Sequence, residues 1–197
     1  MTAKVLDLRA PPADAAWSDE AVAHACVSGD PGAVAELFDR FHARVARFLS
    51  RAIGDCADVE DLMQATFLEI ARGKSSFDGR SSVSTWLLGI ATNIARHHLR
   101  SVARRRTLLA AVASTRPDEA ATSHADAVAA RATLRRVQAV LDALPTEQRL
   151  AFVLCEVEGL KAAEVATLLH ANDTAIWKRV SDARKAVRAA LADEDAS

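Results

Sequence analysis

Tyrosine is absent from this chain of 197 residues, and glycine (7), proline (5), cysteine (3) and methionine (2) are all scarce. Few Gly and Pro residues leave few obligatory breaks, and the plentiful residues are Ala, Leu, Arg and Val. No segment alternates convincingly as a strand, so an all-α protein is expected. Cys26, Cys56 and Cys155 are scattered, which excludes a paired disulfide framework and favours reduced thiols. They make no metal-ligand spacing with the six histidines, so neither a metal nor another cofactor is expected. No run approaches the 18 apolar residues of a membrane span, and "MTAKVLDLRAPPADAAW" lacks the apolar stretch of a signal peptide. A soluble, cytoplasmic protein is the expectation.

One further absence is local. From Gly79 through Pro117 there is neither Asp nor Glu, although the formal net charge of the chain is -1. Seven arginines fall in that window, beside Trp86 and a run of Ser and Thr. The compensating acids cluster just before it: Asp55, Asp58, Glu60, Asp61 and Glu69 lie in a stretch without Lys or Arg. Acids in a first helical turn are ordinary partners of the helix dipole, and arginines on a helix face are usually only solvated. Five arginines (Arg96, Arg100, Arg104, Arg105 and Arg106) without a compensating acid on one helix instead suggest a phosphate-binding face. Lys178, Arg179, Arg184, Lys185 and Arg188 repeat the theme near the C-terminus. Two basic helices across a linker suggest nucleic acid gripped at two places.

Periodicity divides the chain. Residues 1–17 read as a flexible tail broken by Pro11 and Pro12. A short helix follows Ser18, a good N-cap, and ends near "SGDPG". The next helix, about 32–53, puts Leu37, Phe41, Val45, Phe48 and Leu49 on one face. A third, about 57–72, carries Val59, Leu62, Met63, Phe67 and Ile70 as its stripe, and a fourth runs from about 84 to 105. The intervening "GKSSFDGRSS" is a polar loop, and residues 18–106 form a first domain. Residues 107–127 read as a flexible linker, 128–192 as a second helical domain, and 193–197 as an acidic tail. Within the second domain, helices at about 161–169 and 173–191 flank a three-residue joint, the pattern of a helix-turn-helix.

The segments "DVEDLMQATFLEI", "FDGRSSVSTWLLGIATNIARHHLR" and "LDALPTEQRLAFVLCEVEGLKAAEVATLL…ARKAVR", in this order and spacing, resemble a bacterial RNA polymerase sigma factor of the sigma-70 family. With no domain between its two ends, the chain is similar to the extracytoplasmic-function (ECF) group, over about residues 18–191. The resemblance implies a region 2-like domain and a region 4-like helix-turn-helix domain, and no catalytic residue. It implies that Asp58, Glu60, Asp61 and Gln64 meet core RNA polymerase, where acids give complementarity to a positive surface. For the −10 promoter element it implies a base-capturing loop of Phe77, Asp78, Gly79, Arg80, Ser81 and Ser82, with Trp86 at the strand junction. Small polar residues suit a pocket for a base unstacked at a cost of a few kcal/mol, and an aromatic face offers about 1–3 kcal/mol of stacking. Thr92, Asn93 and His97 belong to the same element, Asn93 as the base reader, while Arg96, Arg100 and Arg104 hold phosphates. For the −35 element it implies Thr174, Ala175, Trp177, Lys178 and Arg179 in the major groove, with Arg184 and Lys185 on phosphates. Ile176, Val180 and Ala183 are then core.

The resemblance also implies an anti-sigma partner. Departures from the family pattern stand at His170, where Gly is usual in the turn, at Asn172-Asp173 in place of a Pro-containing start, and at Trp177 and Asp182. Three other readings compete: a sigma-like interaction protein without productive promoter recognition, a dimeric helix-turn-helix repressor, and an enzyme. The repressor leaves the acidic "DVEDLMQ" patch unexplained. The enzyme has no phosphate-cradling Gly loop, no HExxH and no nucleophile-base arrangement to support it.

Overall fold

In the computed structural model of the chain, residues 17–54, 57–110, 133 and 136–192 are described. All regular structure among them is helical, as expected. Helix α1 (Asp19–Val27) begins where Ser18 Oγ accepts the Ala21 N–H at 3.2 Å. Helix α2 (Pro31–Ile53) has Pro31 at its first position and Asp30 as cap, the carboxylate accepting from the Gly32 N–H at 2.8 Å. It stops at Gly54, whose φ of 96° suits a residue without Cβ. Helix α3 (Asp58–Ala71) follows, then the loop, then α4 (Val83–Ala110).

The sequence puts the end of α4 near residue 105 and a linker from 107. The helix instead continues to Ala110, because "RTLLA" contains no breaker. The rest of the expected linker, 111–127, lies outside the described residues, as do the expected terminal tails at 1–16 and 193–197. Helix α5 is described over 136–143.

Helix α6 (Thr146–Phe152) widens into a π segment at Val153–Val157. There the Glu158 and Leu160 N–H groups donate to the carbonyls of Val153 and Leu154, both at 3.0 Å. Helices α7 (Ala162–Leu168) and α8 (Asp173–Ala192) complete the chain.

The α7–α8 turn keeps its geometry without glycine. His170 adopts φ 51°, and the Ala171 N–H reaches back to the Ala166 carbonyl at 2.9 Å, a Schellman closure. A non-Gly residue in this left-handed region costs about 1–2 kcal/mol. Asn172 then caps α8, its Oδ1 accepting the Ala175 N–H at 2.8 Å.

Buried apolar side chains form one continuous cluster that runs from α1–α4 into α6–α8. Leu37, Val45, Phe48, Leu49, Phe67 and Ile70 are buried, and Phe41, Val59, Leu62 and Met63 pack against them half-buried. Ile176, Val180 and Ala183 face inward from α8. Each large side chain fully removed from water contributes about 1.5–3 kcal/mol. Arg40 ties α1 to α2, donating to the Trp17 carbonyl, Asp19 and Glu36 at 2.7–2.8 Å; these carboxylates raise its pKa further. No described helix is long and apolar enough to cross a membrane.

Candidate nucleic-acid interface

The loop between α3 and α4 is short of regular structure but not of anchors. The Asp78 carboxylate accepts the Arg80 N–H at 3.0 Å, folding the chain tightly around Gly79 at φ 72°. Ser82 caps α4, accepting the Thr85 N–H at 3.0 Å. Phe77 is buried beneath the loop, its ring 5.1 Å edge-on from His24 of α1 and 5.2 Å from half-buried Trp86. Asp78, Gly79, Arg80 and Ser82 are exposed and Ser81 half-exposed. Three anchors hold a rim of small polar groups open to solvent.

On α4, Asn93, His97, Arg100 and Arg104 are exposed, at spacings of four, three and four that place them on one stripe. Arg96 lies along the same stripe but is only 9% exposed; it donates to Asn93 Oδ1 at 3.3 Å. Besides Arg96, two further residues expected at the DNA are buried. Phe77 is a core plug, and Thr92 is fully buried on the inner face of α4, so neither side chain faces solvent.

On α8, Thr174, Trp177, Lys178 and Lys185 are exposed, with Ala175, Arg179 and Arg184 half-exposed. Trp177 is 58% exposed, more than Leu68 or Val157. Three of the cations already have partners: Lys178 meets Asp182 one turn on at 3.4 Å, Arg179 meets Glu147 at 3.8 Å, and Arg184 meets Glu156 at 2.6 Å. The Glu156 carboxylate raises the Arg184 pKa further.

The acidic patch occupies α3. Asp58, Glu60, Asp61 and Gln64 are all exposed, and Asp58 lies 3.6 Å from His98 of α4. One turn beyond Gln64, Leu68 is 49% exposed at the edge of a groove of about 450 Å³ between α2 and α3, lined by Val34, Phe38 and Phe67.

The sequence reading missed three residues here. Leu68 had a signal, since it follows Gln64 at helical spacing on the acidic face. His24 and Glu147 had none: each meets the interface only through tertiary packing. Glu147, in the first turn of α6, lies 3.2 Å from Arg96 and 3.1 Å from Arg100.

Two family models match the chain, Sigma-70 region 2 over residues 37–106 and Sigma-70, region 4 over residues 134–187. The ECF RNA polymerase sigma factor SigM of Mycobacterium tuberculosis is 32% identical over 167 residues, 85% of this chain and 81% of that protein. The ECF sigma factor SigX of Bacillus subtilis is 29% identical, covering 71% of this chain and 74% of SigX. Among solved structures, CnrH in complex with the cytosolic domain of CnrY superposes with TM-score 0.62 at 28% identity, over 90% of this chain and 98% of that one. RpoE of Bartonella quintana, in complex with the anti-sigma factor NepR, shares the fold at TM-score 0.60 and 22% identity, over 80% of this chain and 95% of that one.

Proposed function

The chain belongs to the sigma-70 family, in its ECF group, and on that premise we propose that it binds core RNA polymerase, recognises −35 and −10 promoter elements and helps open the duplex to initiate transcription. The observation that carries this reading is the exposed stripe of α4 beside an anchored polar loop, on a chain that also bears a second basic helix. Phosphate contacts by Arg100 and Arg104 position DNA without reading it. Asn93, with a paired donor and acceptor, reads a base, and the rim of Asp78 to Ser82 receives the one that is unstacked.

We assign residues 18–106 to polymerase binding and −10 opening, and 128–192 to the −35 element. On α3, Asp58, Glu60, Asp61 and Gln64 supply the polar part of the polymerase surface. On α8, Thr174, Trp177, Lys178 and Arg179 enter the major groove, with Arg184 and Lys185 at its flanking phosphates. The protein acts as a regulatory subunit in the cytoplasm: strand opening is driven by binding energy, and the polymerase supplies the chemistry. An anti-sigma protein that covers these faces is the natural regulator, in keeping with the complexed state of the CnrH and RpoE structures.

The test is transcription in vitro by core polymerase on fragmented genomic DNA, with and without the protein, followed by sequencing of transcript starts. Discrete new starts sharing a −35 and −10 pair are expected. The Lys178–Asp182 pair and the exposed Trp177 favour a second reading, a sigma-like protein that binds polymerase without productive −35 recognition. Core binding without new starts would select it.

A further inference from the structure

The outward face of the first turns of α8 is poor in groups that read a base edge by hydrogen bonds. No Asn or Gln occurs in Asp173–Ala192, so the side chains that pair bidentately with adenine are missing from the helix. Arg and Lys, which grip guanine in this way, are present but engaged. Lys178 Nζ lies 3.4 Å from the Asp182 carboxylate. Arg179 Nη1 lies 3.8 Å from Glu147, and its side chain is only 28% exposed.

What this face presents instead is apolar. Thr174, Trp177 and Lys178 are exposed at i, i+3 and i+4, so they share one side of the helix, and Ala175 is half-exposed beside them. Ile176, Val180 and Ala183 are buried, which fixes the roll of the helix and keeps the indole of Trp177 turned to solvent. The major-groove edge of DNA offers one apolar group, the C5-methyl of thymine. Ala, the Thr methyl and aromatic rings are the side chains that contact it. All three kinds stand together at Thr174, Ala175 and Trp177.

We propose that α8 reads its duplex through thymine methyl groups, with Trp177 as the specificity-determining residue and Thr174 and Ala175 beside it. The proposal deepens, and rests on, the reading that α8 enters the major groove of the −35 element. Successive thymines on one strand lie about 3.4 Å apart along the axis, so one bicyclic indole covers the methyls of two. A −35 element with adjacent thymines is the consequence. Lys178 and Arg179 then supply attraction to the backbone, common to all sequences, while discrimination comes from apolar contact.

The experiment uses holoenzyme assembled from core RNA polymerase and the full chain. Promoter duplexes bound from a pool randomised over the −35 positions give the motif, and its thymines are then replaced by deoxyuridine. That exchange deletes the methyl and leaves base pairing and the hydrogen-bonding edges in place. Binding is expected to weaken by about 4-fold per methyl, the transfer value of one buried CH2-sized group. Deoxyuridine in the spacer serves as control, with a change of less than about twofold, because backbone contacts there do not read the base. Trp177→Ala is expected to weaken binding to the thymine probe and to bring the thymine-to-uracil ratio close to one, whereas Trp177→Phe keeps part of the ratio. Lys178→Ala weakens both probes alike and leaves the ratio unchanged. Both side chains are exposed, so these variants are expected to fold.

A motif without thymine, a uracil probe bound as tightly as the thymine probe, or an unchanged ratio in Trp177→Ala overturns the proposal and leaves the −35 assignment standing. Weaker core binding by Trp177→Ala with the ratio retained also overturns it, and gives the indole to a protein partner. A pool that yields no −35 motif overturns the −35 reading itself and this proposal with it.

Discussion

Replacing Phe77 by Leu removes the ring that fastens the loop between α3 and α4 to the rest of the first domain. Phe77 is 5% exposed and meets His24 at 5.1 Å and Trp86 at 5.2 Å between ring centroids. Leu keeps most of the buried volume, and a swap of that kind usually costs less than about 1.5 kcal/mol. Loss of the ring pairing adds about 0.5–1.5 kcal/mol per contact beyond area. The expected destabilisation is about 1.5–3 kcal/mol, which a domain of ordinary stability survives. Denaturant titration should show a lower midpoint with an unchanged slope. The functional effect should be specific: on the proposed reading that the loop acts where bases leave the stack, initiation falls on duplex promoters and falls less on a template already melted at −10. Equal losses on the two templates, or no loss on either, would refute the assignment of Phe77 as the anchor of the loop.

Asn93→Ala should relax base preference in the −10 element, measured by selection from a randomised promoter pool. Arg100→Ala should instead weaken binding to all sequences and reduce the log–log salt slope by about one; equal effects of the two on preference would contradict the division of roles. Trp177→Ala should weaken binding to −35 duplex while shifting stability by no more than about 0.5 kcal/mol, as expected of an exposed side chain. The Cys26 thiol is raised from 9.0 to about 11, first by burial and then by the nearby Asp30 charge. Its folded pKa lies above the unfolded one, so the contribution to stability is complete below pH 9 and is lost as the pH rises towards 11. Unfolding followed across that window should show the decline, and Cys26→Ala should flatten it.

Local pattern was enough to place most helices. The 3.6-residue period of α2, α3 and α8 names their inward faces, and Ser18 caps α1 at the start of its run of helix formers. The gathering of acids on α3 and arginines on α4 is likewise a matter of composition along the chain, and it points to a polyanion before any coordinates are known. The period of α4 could also have placed Thr92 inside, since Thr92 falls off the stripe of Asn93, His97, Arg100 and Arg104. The resemblance to the family's −10 element put it with the DNA contacts instead.

What tertiary structure alone decided lies between elements. No feature of "TEQRL" says that Glu147 will meet Arg100, a partner 47 residues away, or that Leu168 will press on Gly89. No feature of α1 says that His24 will support the loop through Phe77. Helical periodicity and caps act over one or two turns, so they are written in neighbouring residues. The partners of a side chain across a helix interface depend instead on how whole faces pack, and single residues do not carry that information. The protein's helices and its charge segregation are therefore properties of its sequence, while the burial of Arg96 against α6 and α7 is a property of its packing.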